Sequence, residues 1–433
     1  MYIFMIVMKF IFQLCIATWN GIVGIINIFI GKANKKAIEN NNRINRGVTE
    51  LNTISIGSLF ESGCLRNSVI SGSELFVRNQ ILINAILHAN SNRRAVVILH
   101  ESNYELERTI ASQIANCIII DKQNCYFDPF YSRSASDIAK MILTIAKKEY
   151  GIKDEARYAI KGMVDFLIAK KKSPTLSALA SCPYTDLYDK VDEMVYRGKM
   201  KDSIGNNIKS CLSSGQSEYI KLKSFFDDLI DECGAAQSKS NIIDLLTAIT
   251  EHKIIVINVE NSTNKHYISS LVYQLEIALR SNLTFSFVLD GISITNELER
   301  LRNFISSSNT NCSVTLSSSD MYSMLNCDEK LMYTVLGNSI ENVVMQHGSA
   351  VSAEEWSKAI GYYEKTETTT TVSKGKTKGG FSLFPSYSDT QSLAYSTKRE
   401  PIVKSEEILR MANNELYIYD RSLNQLSHCF AVN

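Results

Sequence analysis

Apolar residues occur in this chain in two kinds of run, and the two alternate. Short, continuous, β-branched runs of strand length stand at NSVIS (67–71), AVVIL (95–99), NCIII (116–120), KIIVINV (253–259), TFSFVLD (284–290), CSVTL (312–316) and ENVVM (341–345). Helix-length stretches separate them, which is the pattern of a mostly parallel sheet covered on both faces. From Ala135 to Gly234 no β-rich run occurs, and apolar residues recur at helical spacing, as in IAKMILTIAKKEY and ARYAIKGMVDFLIAKKK. That block predicts an all-helical insertion, with a turn between helices at SCLSSGQSEY (210–219). From Lys365 to Lys398 the sequence turns to Thr, Ser, Gly and Lys, predicting a flexible surface excursion or an exposed hairpin with little apolar surface to offset its ordering entropy. SEEILRMA and ELYIYD then return to helix and strand.

The N-terminus is apolar from Met1 to Ile30 apart from Lys9, Gln13, Thr18, Asn20 and Asn27. Phe10 to Ile30 supplies the ~20 residues that cross a bilayer as a helix. A cleaved signal peptide would have a shorter apolar core behind a charged start, so a retained anchor is expected. Lys32, Lys35 and Lys36 follow it against Lys9 alone before it. This bias places the C-terminal bulk in the cytoplasm, at the inner membrane. The Asn-rich ENNNRINR reads as a tether. The expected division is an anchor (1–31), a linker (32–50), an α/β domain in two parts (51–134 and 240–433) and a helical domain (135–239).

Composition narrows the partners. Forty-six basic and 45 acidic residues leave a formal charge of +1 over 433 residues, so no global field points to nucleic acid or anionic lipid. Lys170 to Lys172 and Lys374 to Lys378 are short basic clusters that read as solubilising charge, and any DNA contact would be local. The ten cysteines show no C-x-x-C spacing and read as reduced core thiols. The six histidines show no metal spacing.

Candidate chemistry lies between NSVIS and the apolar stretch QILINAILHA. A phosphate loop, G-x-x-x-x-G-K-[ST] between strand and helix, turns backbone N–H groups toward phosphates through glycines at positive φ. The segment GSELFVRN (72–79) has the placement, with Gly72 and Ser73 opening it. Val77 stands for the second glycine, Arg78 for the lysine and Asn79 for the Mg-binding hydroxyl. A β-branched residue at positive φ is a steric outlier, so Val77 predicts a different loop conformation. Arg78 keeps the charge without the compact ammonium. FSFVLD ends at Asp290, where a carboxylate could hold a metal-bound water. Gly291 follows where an ATPase carries a glutamate. After CSVTL stand Ser317 to Ser319 in place of a polar amide, with Ser319 at the sensing position. ATP and Mg are the cofactors such a site would take, and three of its parts are altered.

The order of these elements resembles the type IV secretion coupling ATPases, TraG/TraD-like members of the HerA/FtsK group, from about Leu51 onward. ISGSELFVRNQILINAI is similar to that family's phosphate loop and helix. VVILHESNYELERTIA stands at its acidic-Pro-Lys-Gly-Glu segment, and CIIIDKQNCYFDPF, with Asp128, at its Asn-Pro stretch. DEARYAIKGMVDFL resembles the opening of its all-alpha domain. FVLDGISITNELERLRNFISSSNTNCSVTLSSSD resembles its Walker B strand, long helix and sensor strand. REPIVKSEEILRMANNELYIYD matches its closing pattern. The resemblance implies a RecA-like P-loop NTPase core with a helical inserted domain and a transmembrane helix, working in a conjugative DNA transfer or type IV secretion machine. It implies partners among membrane machinery subunits, DNA, a substrate protein or an adaptor, in a homo- or hetero-oligomer. KMKDSIGNNIK (199–209) would be a contact surface or a solvated helix face. Because the departures fall on catalytic positions, the expectation is a degenerate site acting as scaffold or substrate receptor. The alternative is an active hexameric motor, in which Glu297 or Glu299 would replace the missing glutamate. A third is a degenerate motor remade for defence or regulation.

Overall fold

The computed structural model describes residues 2–50, 53–56, 65–121, 126–233, 242–260, 264–292, 297–306, 311–377 and 386–432. Its strands are β1 (Val48–Glu50), β2 (Ile54–Ser55), β3 (Ser68–Ser71), β4 (Ala95–His100), β5 (Cys117–Ile120), β6 (Tyr126–Phe127), β7 (Ile242–Ile243), β8 (Ile254–Asn258), β9 (Phe285–Asp290), β10 (Cys312–Ser318), β11 (Glu341–Val344), β12 (Tyr362–Thr377), β13 (Ser386–Pro401), β14 (Glu415–Asp420) and β15 (Gln425–Val432). Its helices are α1 (Tyr2–Arg46), α2 (Leu75–Ser91), α3 (Tyr104–Gln113), α4 (Ala135–Ile145), α5 (Ala156–Ala169), α6 (Leu176–Ala180), α7 (Leu187–Tyr196), α8 (Asp202–Gly215), α9 (Tyr219–Cys233), α10 (Leu245–Thr250), α11 (Lys265–Arg280), α12 (Leu298–Ser306), α13 (Met321–Met324), α14 (Glu329–Asn338), α15 (Ala350–Ile360) and α16 (Ser405–Leu409).

Each apolar run of the sequence contributes a strand to one sheet of order β1-β15-β14-β11-β3-β10-β9-β4-β8-β5, with β2 also on β15. From β11 to β5 every neighbour pair is parallel. Continuous rather than alternating hydrophobicity follows from burial on both faces, because successive side chains point to opposite sides. Val97, Leu99, Phe287 and Leu289 enter the core shared with α11, α12, α14, α15 and the helical insertion. Val96, Ile98, Val288 and Ile70 enter the core under α2 and α3.

The insertion runs from α4 to α9. It leaves the sheet domain at β6 and rejoins it at β7, and these two pair in parallel. Asp128 fixes the exit, accepting from the Phe130 and Leu176 amides at 2.8 Å each. The expected turn between helices at 210–219 is a short 3-10 turn, Gln216–Glu218, between α8, which ends at Gly215, and α9. Close packing explains it, since a Cβ at Gly215 would lie 2.2 Å from the Ala159 nitrogen, so only glycine lets α8 approach α5 this closely.

One further segment corrects the sequence reading, and another decides between its two alternatives. The 32–50 stretch is not a loose linker, because α1 continues to Arg46 as one helix. Ile38, Asn42 and Arg46, spaced four apart, are its partly covered positions and form one face. Asn42 accepts from the Thr366 amide at 2.8 Å and donates to the Thr366 carbonyl at 2.9 Å, while Arg46 donates to the Ile402 carbonyl and pairs with Glu407. The Thr-rich segment 365–398 is the exposed hairpin of the two readings. β12 and β13 pair antiparallel from Tyr362 with Pro401 to Thr377 with Ser386, and Lys378 lies outside the described residues. The apolar part of α1 is long and apolar enough to cross a bilayer, by length and composition.

A candidate site at the carboxyl ends of the central strands

Parallel register brings the ends of four strands together: Ser71 lies beside Ser318, Ser317 beside Asp290, and Asp290 beside His100. An open parallel sheet places its ligands at this edge. Asp290 is 3% exposed and His100 and Ser317 are fully buried.

The connection from β3 to α2 is only Gly72, Ser73 and Glu74, because the helix begins at Leu75. Val77, Arg78 and Asn79 therefore lie within α2, and Val77 packs into the core below it. The predicted change of loop conformation takes this form: a β-branched residue cannot hold the positive φ of a phosphate cradle, and the helix instead starts early. Gly72 keeps φ at 151°, and a Cβ there would sit 2.4 Å from that of Met345. Its glycine is thus required by contact with the end of β11. The Gly72 N–H donates to the Ser318 carbonyl at 3.0 Å and the Ser73 N–H to the Gln346 carbonyl at 2.8 Å. The Ser73 hydroxyl donates to the same Gln346 oxygen at 3.1 Å.

Inside this edge the side chains form one network around Asp290. Asp290 Oδ1 accepts from Ser317 Oγ at 2.7 Å and Oδ2 from Asn103 Nδ2 at 2.6 Å. Arg78 Nη1 stands 3.8 Å from Oδ1, the charge that offsets its burial. Burial lowers the Arg78 pKa and Asp290 opposes that shift. Asn79 and Asn103 exchange two amide hydrogen bonds, of 2.8 and 3.3 Å, and Asn103 also caps α3 by accepting from the Leu106 amide. The Asn103 N–H donates to His100 Nδ1 at 3.1 Å, so the neutral ring carries its proton on Nε2, which faces Glu107 at 3.4 Å. Burial lowers the His100 pKa to about 4, against a smaller opposing effect of Asp290. Burial, then Asp121, raise that of Glu107.

The remaining predicted positions lie outside this network. Gly291 is exposed at φ 70° with its N–H on the Ser317 carbonyl, so a glutamate there would occupy a left-handed backbone that L side chains rarely adopt. Ser319 is exposed in the bend after β10, and it is Ser317 that reaches Asp290. Glu297 is buried with Ser269 and Arg300 as its partners. The side chain of Glu299 lies outside the described residues. Asn103, His100 and Glu107 were missed because their role depends on β4 lying beside β9. The available signal was a histidine closing an apolar strand, followed by an asparagine opening a helix.

Tested against ATP and Mg, the residues present do not fit. Two amides at the loop are bound to carbonyls, the loop is too short to wrap phosphates, and Asn79 and Asp290 spend their oxygens on neighbouring side chains. Among the described residues no cluster of three acidic, His or Cys side chains could hold a metal ion.

No family model matches this sequence, and no curated protein matches it. Solved structures do. The unbound bacterial conjugative coupling protein TrwBdeltaN70 superposes with a TM-score of 0.50 at 12% identity, covering 88% of each chain. The plasmid coupling protein TrwB in complex with ADP and Mg2+ gives the same score, identity and coverage. VirB4 of Thermoanaerobacter pseudethanolicus reaches 0.49 at 10% identity, over 89% of this chain and 98% of that one. The chain has the fold of a conjugative coupling protein. In this fold the Asp290 network joins the carboxyl ends of β4, β9 and β10 to α2 and the start of α3.

Proposed function

We propose that this chain is a membrane-anchored, coupling-protein-like subunit of a conjugative DNA transfer or type IV secretion machine, acting as scaffold or substrate receptor rather than as motor. The observation that carries this reading is Asp290: both carboxylate oxygens accept hydrogen bonds from this chain's own side chains, and Arg78 offsets the charge. A motor site leaves that carboxylate free to position a metal-bound water. Here the same position closes a buried network that holds β4, β9, β10, α2 and α3 together. The coupling-protein fold, with a long apolar helix leading directly into it, supports the membrane setting. The helical insertion offers the surface for a substrate protein or adaptor, with the exposed Lys199, Lys201 and Ile204 at its rim.

The test uses the full chain in detergent, titrated with ATP with and without Mg and assayed for phosphate release. The expected result is no saturable Mg-dependent binding and no turnover above that of Asp290→Asn. Mg-dependent turnover that Asp290→Asn abolishes would overturn the proposal in favour of an active motor.

A further inference from the structure

A second polar site lies on the opposite face of the sheet from α2. Asn342 of β11 is 1% exposed, and its backbone is taken up by ladders to Val69 on one side and Tyr419 on the other. Neither its side-chain nitrogen nor its side-chain oxygen has a hydrogen-bond partner. Leaving both ends of a buried carboxamide unmade is costly, and such a group calls for an occupant. Asn342 lines a cleft of about 220 Å³ whose other walls include Tyr333, Trp356 and Tyr419, with Arg421 at the exposed edge. Trp356 is held in place by its Nε1–H, which donates to Ser71 Oγ at 3.3 Å. Arg421 donates to the Leu336 carbonyl at 3.1 Å and pairs with no carboxylate among the described residues.

We propose that this cleft binds a purine nucleoside monophosphate, with the base against the aromatic walls, its edge on Asn342 and the phosphate at Arg421. Each part follows from chemistry on the page. An asparagine carboxamide matches the adjacent donor and acceptor of adenine in two hydrogen bonds. Aromatic side chains offer stacking surface to any base. The cleft is smaller than the ~300–1,000 Å³ of pockets that enclose a whole drug-sized ligand, so the base enters while sugar and phosphate stay outside, beside Arg421, which has no carboxylate partner among the described residues. No residue lining this cleft belongs to the Asp290 network. A monophosphate also lacks the β- and γ-phosphates that a phosphate loop would hold.

The experiment is calorimetric titration and thermal melting of the full chain in detergent with AMP, adenosine and ribose 5-phosphate. AMP and adenosine are expected to bind saturably, AMP more tightly, and ribose 5-phosphate not at all. Asn342→Leu should weaken both by at least about tenfold while the unliganded protein melts no lower than wild type, because the unpaired amide is gone. Arg421→Gln, on an exposed residue, should bring AMP down to the affinity of adenosine. Asp290→Asn should leave both unchanged, separating this site from the proposed function. No saturable AMP binding at millimolar concentration, or AMP binding unaltered by both Asn342→Leu and Arg421→Gln, would overturn the proposal and leave water as the occupant.

Discussion

Arg78 is buried with its Nε and Nη1 lacking hydrogen-bond partners, so its charge rests on Asp290 alone among the ion pairs of the described residues. Removing one member of a buried pair leaves the other uncompensated, which typically costs about 3–5 kcal/mol, whereas replacing both is often neutral. Asp290→Ala should therefore lower the unfolding free energy measured in urea by an amount of that order, and Arg78→Met with Asp290→Asn should recover most of it. If the double variant is as unstable as the single one, the pair is not what holds this edge. His100 gives a pH signature. Its ordinary pKa of ~6.5 in the unfolded chain drops in the fold to about 4 because burial disfavours the charged ring. As pH falls from 6.5 to 4 the unfolded state binds the proton first, so stability is lost across that window, on the order of 3 kcal/mol in total. His100→Gln should lack that part of the slope when both proteins are melted between pH 7 and 4. Arg78 and Asp290 were legible because each stands at a motif position in the sequence. Their mutual contact was not, since it requires α2 to start early and cross the ends of β9 and β10.

At the scale of elements, the strand runs were legible because burial on both faces leaves an unbroken apolar signal. Helix α1 was legible only to Ile30. Its continuation through ENNNRINR runs against the modest helix propensity of asparagine, and tertiary contacts far away in sequence explain it. Asn42 meets the Thr366 backbone as a strand neighbour would, and Arg46 closes on Ile402 and Glu407. The hairpin was half legible: Thr-rich sequence suits a strand, yet its polarity also suits disorder, and contact with α1 along β12 decides between them. Asn42→Ala removes both bonds to Thr366, each worth about 1 kcal/mol. Amide exchange at Thr366 and its β12 neighbours should quicken, while exchange in the distant β8 stays unchanged. Equal quickening in both would indicate global destabilisation instead.

For the whole molecule, the consequence of a continuous α1 is that the long apolar helix is wired into the edge of the sheet. Gly47, at φ 67°, ends the helix, and β1 follows at once to pair with β15. There His428 stands between two carboxylates, Glu50 of β1 and Glu415 of β14, at 2.7 Å from each. Burial alone would lower the His428 pKa, but the two carboxylates outweigh it and the net shift is upward. A group whose pKa is raised in the fold contributes fully below its unfolded value of ~6.5 and loses that contribution as pH rises through the folded one. The clasp between α1 and the sheet should thus be firm at pH 6 and loosen toward pH 9. In vesicles, limited proteolysis near Gly47 and amide exchange along β15 should both increase over that range. His428→Gln should leave each flat with pH, while Arg46→Ala, which cuts the neighbouring link to Glu407, should raise the level without removing the slope. A slope of opposite sign, with the edge tightening as pH rises, would show that burial of the imidazole rather than its two carboxylates governs how the sheet is held to α1.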